Sequence, residues 1–197
     1  MTSWVRLRDR LAAALGEFHV QQPLRRGMPK EELKSRLRLS PPRLFDDVLA
    51  TAVVDGAARD DGSTVRLPDF AIRLDPKRRA LADRFLAAVE AAPYAPPAPT
   101  EFGLDSETVG ALVDLGEVVR VAEGVVYAPD AYAEIEREVL AIIDRDGSLT
   151  LATFRDHFGT SRKFAQATLE YQDQRRITRR VGDERVRYAG VGAASLA

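Results

Sequence analysis

Between Gly159 and Tyr188 the chain reads GTSRKFAQATLEYQDQRRITRRVGDERVRY, and the side chains with chemistry to offer are donors of charge-assisted hydrogen bonds. Thr160 and Ser161 mark a helix start, Arg162 and Lys163 follow at once, and Gln166 lies one turn further along. Either hydroxyl can accept from a first-turn backbone N–H, and the N–H groups left over favour an anion. Two cations at that end oppose the helix field. Their placement costs folding free energy unless a phosphate or carboxylate meets them. Arg179 and Arg180 come later in a short strand-like run. Strand neighbours point to opposite faces, so one suits a ligand phosphate and the other suits bracing the hairpin. Arg175 and Arg176 fall where a helix C-terminus would welcome cations.

Catalytic chemistry has no comparable support. His19 and His157 each stand without an acid–base partner at a useful spacing, and there is no cysteine to act as nucleophile, thiolate ligand or disulfide. Asp144-Arg145-Asp146-Gly147 has a trace of a calcium loop, but its glycine comes too early and Arg155 occupies the place that needs a glutamate. It reads as a turn. Tyr171, at helical spacing from Phe164 and Thr168, reads as core rather than as a base-stacking platform. The chain is expected to be non-enzymatic and to need no metal or cofactor of its own.

The 197 residues are 45% hydrophobic and 30% charged, with net charge −1. No apolar run nears the roughly 18 residues needed to span a bilayer, and MTSWVRLRDR is no secretory signal. A cytoplasmic protein without membrane contact is expected. The near-zero charge hides a division: residues 1–79 hold 16 Lys/Arg against 11 Asp/Glu, residues 80–141 hold 3 against 12, and residues 142–197 hold 10 against 7. Basic ends and an acidic middle would confine nucleic-acid binding to the ends.

The elements that must position these residues recur along the chain. Leu7, Leu11, Leu15 and Phe18 predict a helix over 6–20; Pro29 and two glutamates open a second, ending near Arg38; Ser40-Pro41-Pro42 predicts the start of a third, running to about Thr51. Val53-Val54, a turn at Asp60-Asp61-Gly62, and 64–67 read as strand, turn and strand. The order then returns: a helix over 76–92, a proline-dense 94–99 allowing at best a short second helix, a helix from Asp105-Ser106-Glu107 to Leu115, and strands 118–121 and 125–127. A third pass gives helix 132–143, a short strand at 149–151, helices 153–158 and 161–174, and strands 177–181 and 185–188. The turn glycines Gly62, Gly124 and Gly182 recur at intervals of 62 and 58 residues. The fold class expected is mostly α with small β-hairpins: three tandem winged-helix units over 1–72, 73–131 and 132–197, each of three helices and a β-wing.

Phe154-Arg155-Asp156, Gly159 to Lys163, Leu169-Glu170-Tyr171 and Thr178-Arg179-Arg180 resemble the C-terminal end of the bacterial selenocysteine-specific elongation factor family, SelB. The first two units resemble the second and third of that family's four winged-helix domains through their order, length and the hairpin endings Leu67-Pro68-Asp69 and Tyr127 to Asp130. The resemblance implies that the last unit binds the mRNA hairpin directing selenocysteine insertion at UGA, with Ser161, Arg162, Lys163, Gln166, Arg179 and Arg180 as RNA-binding residues. It implies as partners the ribosome and, through the rest of the factor, selenocysteyl-tRNA, with the chain acting as a monomer. Because RNA hairpins are read through loops and bulges, backbone contacts and one or two flipped bases are expected. The family's phosphate loop, G-x-x-x-x-G-K-[ST], does not occur in this sequence. GTP and magnesium are therefore expected in an N-terminal part, and this chain is expected to be a fragment or separately expressed piece. Gln172 and Gln174 depart from the side chains that relatives carry there. A DNA-binding winged-helix regulator is the alternative reading, though no long coiled-coil helix is present to form its dimer. A protein scaffold using the acidic middle unit is a third.

Overall fold

A computed structural model describes residues 3–188 and divides the chain into two compact bodies, Met1–Asp75 and Pro76–Ala197. The end of the third expected unit, 189–197, lies outside the described residues. No described helix is long and apolar enough to cross a membrane.

The first body runs α1 (Ser3–Gln21), β1 (Met28–Pro29), α2 (Lys30–Leu37), α3 (Leu44–Val54), β2 (Arg59–Asp60) and β3 (Thr64–Arg66). Leu11, Leu15 and Phe18 form one side of α1 and are buried against Leu33 and Leu37 of α2 and against Phe45, Val48, Leu49 and Ala52 of α3. The helical period of the sequence is thus the packing surface. An antiparallel sheet in the order β1-β3-β2 closes this core, with Val65 of β3 buried between Met28 and Asp60. Gly27 leads into β1 where a Cβ would fall 2.8 Å from the Val65 carbonyl oxygen, a close approach that only glycine permits.

Two expectations fail here. Ser40 does not cap α3: the helix begins at Leu44, behind Arg43, with no side-chain capping bond. The prolines serve it differently, because the carbonyls of Pro41 and Pro42 accept from the N–H groups of Leu44 and Phe45 at 2.9 and 3.2 Å. Val53-Val54 is not a strand but the end of α3, and the first wing strand comes later, at Arg59–Asp60. The β-branched pair follows the helix because Ala52 is anchored in the core one residue earlier, leaving Val54 at the exposed helix end. His19, read as a residue without a partner, is buried and structural. Its Nε2 accepts from the Leu67 N–H at 3.2 Å and its ring stacks on Phe70 with centroids 3.5 Å apart.

The second body begins with α4 (Pro76–Ala91), a 3-10 turn (Pro99–Phe102), α5 (Ser106–Asp114), β4 (Val119–Ala122) and β5 (Val125–Tyr127). Asp105 caps α5 by accepting from the Thr108 N–H at 2.7 Å. The series continues with α6 (Pro129–Asp146), β6 (Leu149–Thr150), α7 (Leu151–Phe158), α8 (Arg162–Gln174), β7 (Thr178–Val181) and β8 (Glu184–Arg187). Its last sheet has the order β6-β8-β7, like the sheet of the first body, whereas β4-β5 stands as a two-stranded hairpin. The difference follows from composition. Where the other units place a short lead-in strand, this stretch carries Pro96, Pro97 and Pro99, which have no N–H to give a ladder.

One core joins the two halves of this second body. Val121, Val125 and Tyr127 of the β4-β5 hairpin are buried with Ile135, Val139 and Ile142 of α6, Phe154 of α7 and Ala165 and Leu169 of α8. Tyr132 of α6 meets Tyr171 edge-on at 5.6 Å, confirming Tyr171 as a packing residue.

Candidate nucleic-acid interface

The corner between α7 and α8 is built by local rules. Thr150 caps α7, its hydroxyl accepting from the Thr153 N–H at 3.1 Å. Gly159 ends that helix at φ +59, a left-handed conformation that costs glycine little. Ser161 then stands as the residue before α8, in extended conformation, with its carbonyl taking the Ala165 N–H at 3.1 Å. The hydroxyl cap expected of Thr160 or Ser161 does not form. Ser161 makes no side-chain capping bond, and the Thr160 hydroxyl donates instead to the Tyr94 carbonyl in the proline-rich segment. Tyr94 also packs its ring against Phe158 at 5.2 Å. The start of α8 therefore keeps its first-turn N–H groups uncapped by side chains while its flank is pinned.

Ala165, Thr168, Leu169 and Gln172 form the buried side of α8, which leaves Arg162, Lys163 and Gln166 exposed together on the other. Arg162 forms no ion pair among the described residues. Lys163 lies over the Phe164 ring at 5.6 Å, and the Gln166 amide donates to Glu170 at 2.9 Å, so the carboxylate of Glu170 closes the cationic strip on that side.

On the wing, Arg179 faces Val186 across the ladder and Arg180 faces Arg185. Arg180 donates from Nε to the Gly182 carbonyl at 2.8 Å and lies 3.6 Å from Asp183, so it ties down the hairpin turn. Arg179 is exposed and forms no ion pair among the described residues. The strand alternation thus separates the two arginines as their sequence implied. Ser161, Arg162, Lys163 and Gln166 share one helix start, while Arg179 and Arg180 belong to the hairpin that follows the far end of α8, roughly 20 Å away along its axis.

Most remaining basic residues are occupied. Arg155 pairs with Asp156 at 2.8 Å, and Arg187 with Asp144, whose carboxyl is held below its usual range chiefly by that guanidinium. Arg145 pairs with Asp146, so the residues that suggested a calcium loop form ion pairs instead. Arg175 and Arg176 sit over Tyr171 and Tyr188 at 5.7 and 6.0 Å. His157 lies on the surface 3.7 Å from Glu138. Arg185 is only 4% exposed and meets Asp173 at 3.2 Å, and Asp173 also accepts from the Thr178 hydroxyl at 2.6 Å. Sequence reading missed this buried trio. The segment Glu184 to Arg187 offers Val186 as its obvious core residue, and no local pattern marks Arg185 as the one turned inward.

Two winged-helix models described as belonging to elongation factor SelB match the chain, the second SelB winged helix over residues 12–67 and the third over residues 141–187. The selenocysteine-specific elongation factor of Desulfomicrobium baculatum is 30% identical over 190 residues, covering 90% of this chain. The chain spans 30% of that relative's length. Among solved structures, the mRNA-binding domain of elongation factor SelB from E. coli in complex with SECIS RNA is 22% identical, covering 58% of this chain and 99% of that one, with a TM-score of 0.47. A bacterial selenocysteine-specific elongation factor, EF-Sec, is 15% identical over 91% of this chain and 29% of its own, with a TM-score of 0.46. With separate SelB models matching its first and its last winged unit, the chain belongs to the winged-helix region of the SelB elongation-factor family.

Proposed function

We propose that this chain is the RNA-binding C-terminal part of a selenocysteine-specific elongation factor and that its last unit holds the mRNA hairpin which directs selenocysteine insertion at UGA. The match of two separate winged units to the SelB family carries the reading. Arg162, Lys163 and the uncapped N–H groups behind Ser161 form the phosphate contact, and Gln166 is within one turn for a base or sugar. Arg179 is the wing's phosphate contact. Arg180 keeps the hairpin turn in shape. Such binding would hold the rest of the factor, with its selenocysteyl-tRNA, beside the ribosome.

In this reading the chain performs no catalysis. GTP and magnesium would be handled by another part of the longer protein, and the setting is the cytoplasm. The acidic middle unit works as a spacer whose own charge keeps nucleic acid away.

Electrophoretic binding of the chain to an RNA hairpin from a selenoprotein message, beside a DNA duplex of matching sequence, tests this proposal. Tighter binding of the RNA hairpin is expected. Equal or tighter binding of the duplex would instead favour a DNA-binding regulator.

A further inference from the structure

The first and last units share a register that extends beyond their folds. Adding 120 to Phe45, Val48, Leu49 and Ala52, the buried positions of α3, gives Ala165, Thr168, Leu169 and Gln172, the buried positions of α8. The wings keep that offset, since Val65 lies opposite Asp60 as Arg185 lies opposite Arg180. Arg43, just before α3, therefore occupies the place of Lys163. Arg59, on the first wing strand, occupies the place of Arg179. Both are exposed, and neither forms an ion pair among the described residues.

The middle unit repeats the fold without these cations. The buried Thr108, Val109 and Leu112 of α5 align with Thr168, Leu169 and Gln172, which sets Gly103 where Arg43 and Lys163 stand. On its first wing strand the basic residue is Arg120, whose Nη2 is buried against α5, 3.8 Å from where a side chain on Gly110 would begin. A scattered surface arginine says little by itself. Two cations at matched places in the outer units, both missing from the unit between them, mark a repeated use of the winged-helix face.

We propose that the first unit carries a second nucleic-acid contact, in which Arg43 and Arg59 hold backbone phosphates of an RNA segment separate from the one met by α8. The proposal rests on reading the chain as an RNA-binding protein. Asp46 stands where α8 has Gln166, and Asp47 follows it, so phosphate is repelled further along α3 and contact is limited to the helix start and the wing. Lys34 and Arg38 flank the same corner, with Glu31 beside them. The site has no base-reading side chain at the Gln166 position. Its binding is therefore weaker than that of the last unit and indifferent to sequence.

A blunt RNA duplex of about 16 base pairs, which has neither loop nor bulge, probes this contact. The full chain, R43Q/R59Q, R162Q/K163Q and the quadruple variant are titrated with it over a range of salt. R43Q/R59Q should lower duplex affinity about tenfold and flatten the slope of log K against log salt by about 1.5 to 2, in the wild-type and R162Q/K163Q backgrounds alike, with the melting temperature unchanged. Unchanged affinity and slope, or absence of duplex binding by the wild type, overturns the proposal. A selenoprotein-message hairpin titrated in parallel separates the two readings: if R162Q/K163Q binds that hairpin like the wild type, the site on α8 is the one that fails. As a control on folding, Arg59→Lys should keep most of the affinity that Arg59→Gln loses.

Discussion

Tyr127, at the end of the middle unit's hairpin, and Thr168, in the middle of α8, share a hydrogen bond of 3.0 Å between two hydroxyls that are both buried. Burial raises the tyrosine's pKa above its ordinary value, so the bond is between neutral groups across the whole working range of pH. Its consequence is positional. The helix that presents Arg162 and Lys163 is fastened on its inner side to the preceding unit, and Tyr94 with Thr160 fastens its start.

Tyr127→Phe should therefore cost about 1 to 3 kcal/mol in urea unfolding, because the Thr168 hydroxyl is left buried without a partner. Thr168→Val added to it should recover part of that loss. Equal losses in the single and double variants would show that the hydroxyl pair contributes nothing beyond packing.

Among the described residues, Asp173 is the counter-charge paired with the buried Arg185, and it also accepts from the Thr178 hydroxyl. Asp173→Ala should destabilise the second body by about 3 to 5 kcal/mol, since a charge buried without compensation is more costly than the pair is beneficial. Arg185→Met should be tolerated better, because it replaces the charge with an apolar side chain of similar length. The two melting curves decide the order, and a milder loss for Asp173→Ala would contradict it.

His19 accepts a hydrogen bond from the Leu67 N–H, which requires its ring to be neutral at Nε2, and its pKa is lowered by burial and by the nearby Arg66. A depressed histidine pKa means that the unfolded chain takes up the proton first. Stability is fully present above about pH 6.5 and falls as the pH drops through that value toward the lower native pKa. Unfolding midpoints of the first body should decline between about pH 7 and pH 5, and His19→Phe should flatten that decline. The carboxyls of Asp60, Asp105, Asp144 and Asp146 are all held below their ordinary pKa by hydrogen bonds, so their loss comes at more acid pH and is separable.

Hairpin binding should divide the arginines by their occupation. Arg162→Ala is expected to cost on the order of 1–3 kcal/mol of binding, while Lys163→Ala lowers the salt slope by roughly one phosphate without favouring any sequence. Arg179→Ala should weaken binding more than Arg180→Ala, whose guanidinium is engaged by Gly182 and Asp183. Filter binding over a salt series measures all four. Wild-type affinity in a combined Arg162→Ala/Lys163→Ala chain would place the hairpin elsewhere.

Three sequence signals determined a great deal. Apolar spacing at 3.6 residues located the helices, the glycines Gly62, Gly124 and Gly182 located the hairpin turns, and the recurrence of both identified the winged-helix repeat. The first two signals are local, written in residues that are neighbours along the chain and acting through backbone conformation that neighbours control; the third is the repetition of those local signals. The exposed face of α8 was legible for the same reason, since fixing the buried stripe at Ala165, Thr168, Leu169 and Gln172 leaves Arg162, Lys163 and Gln166 outside.

Only the tertiary structure decided which capable residue was already engaged. The Thr160 hydroxyl could have capped α8, but it turns to Tyr94, a residue 66 positions earlier in the chain. Val54 looked like a strand residue, and helical packing of Ala52 carried it to the end of α3. Arg185 is buried rather than Val186 because the pairing of β8 with β6 sets Arg185 opposite Leu149, over Asp173. Partners of this kind are chosen by distances that close only after the elements dock, and sequence spacing carries no record of them. The residue types fixed what chemistry the chain could offer, and the packing left Arg162 and Arg179 exposed and without an ion pair among the described residues to offer it.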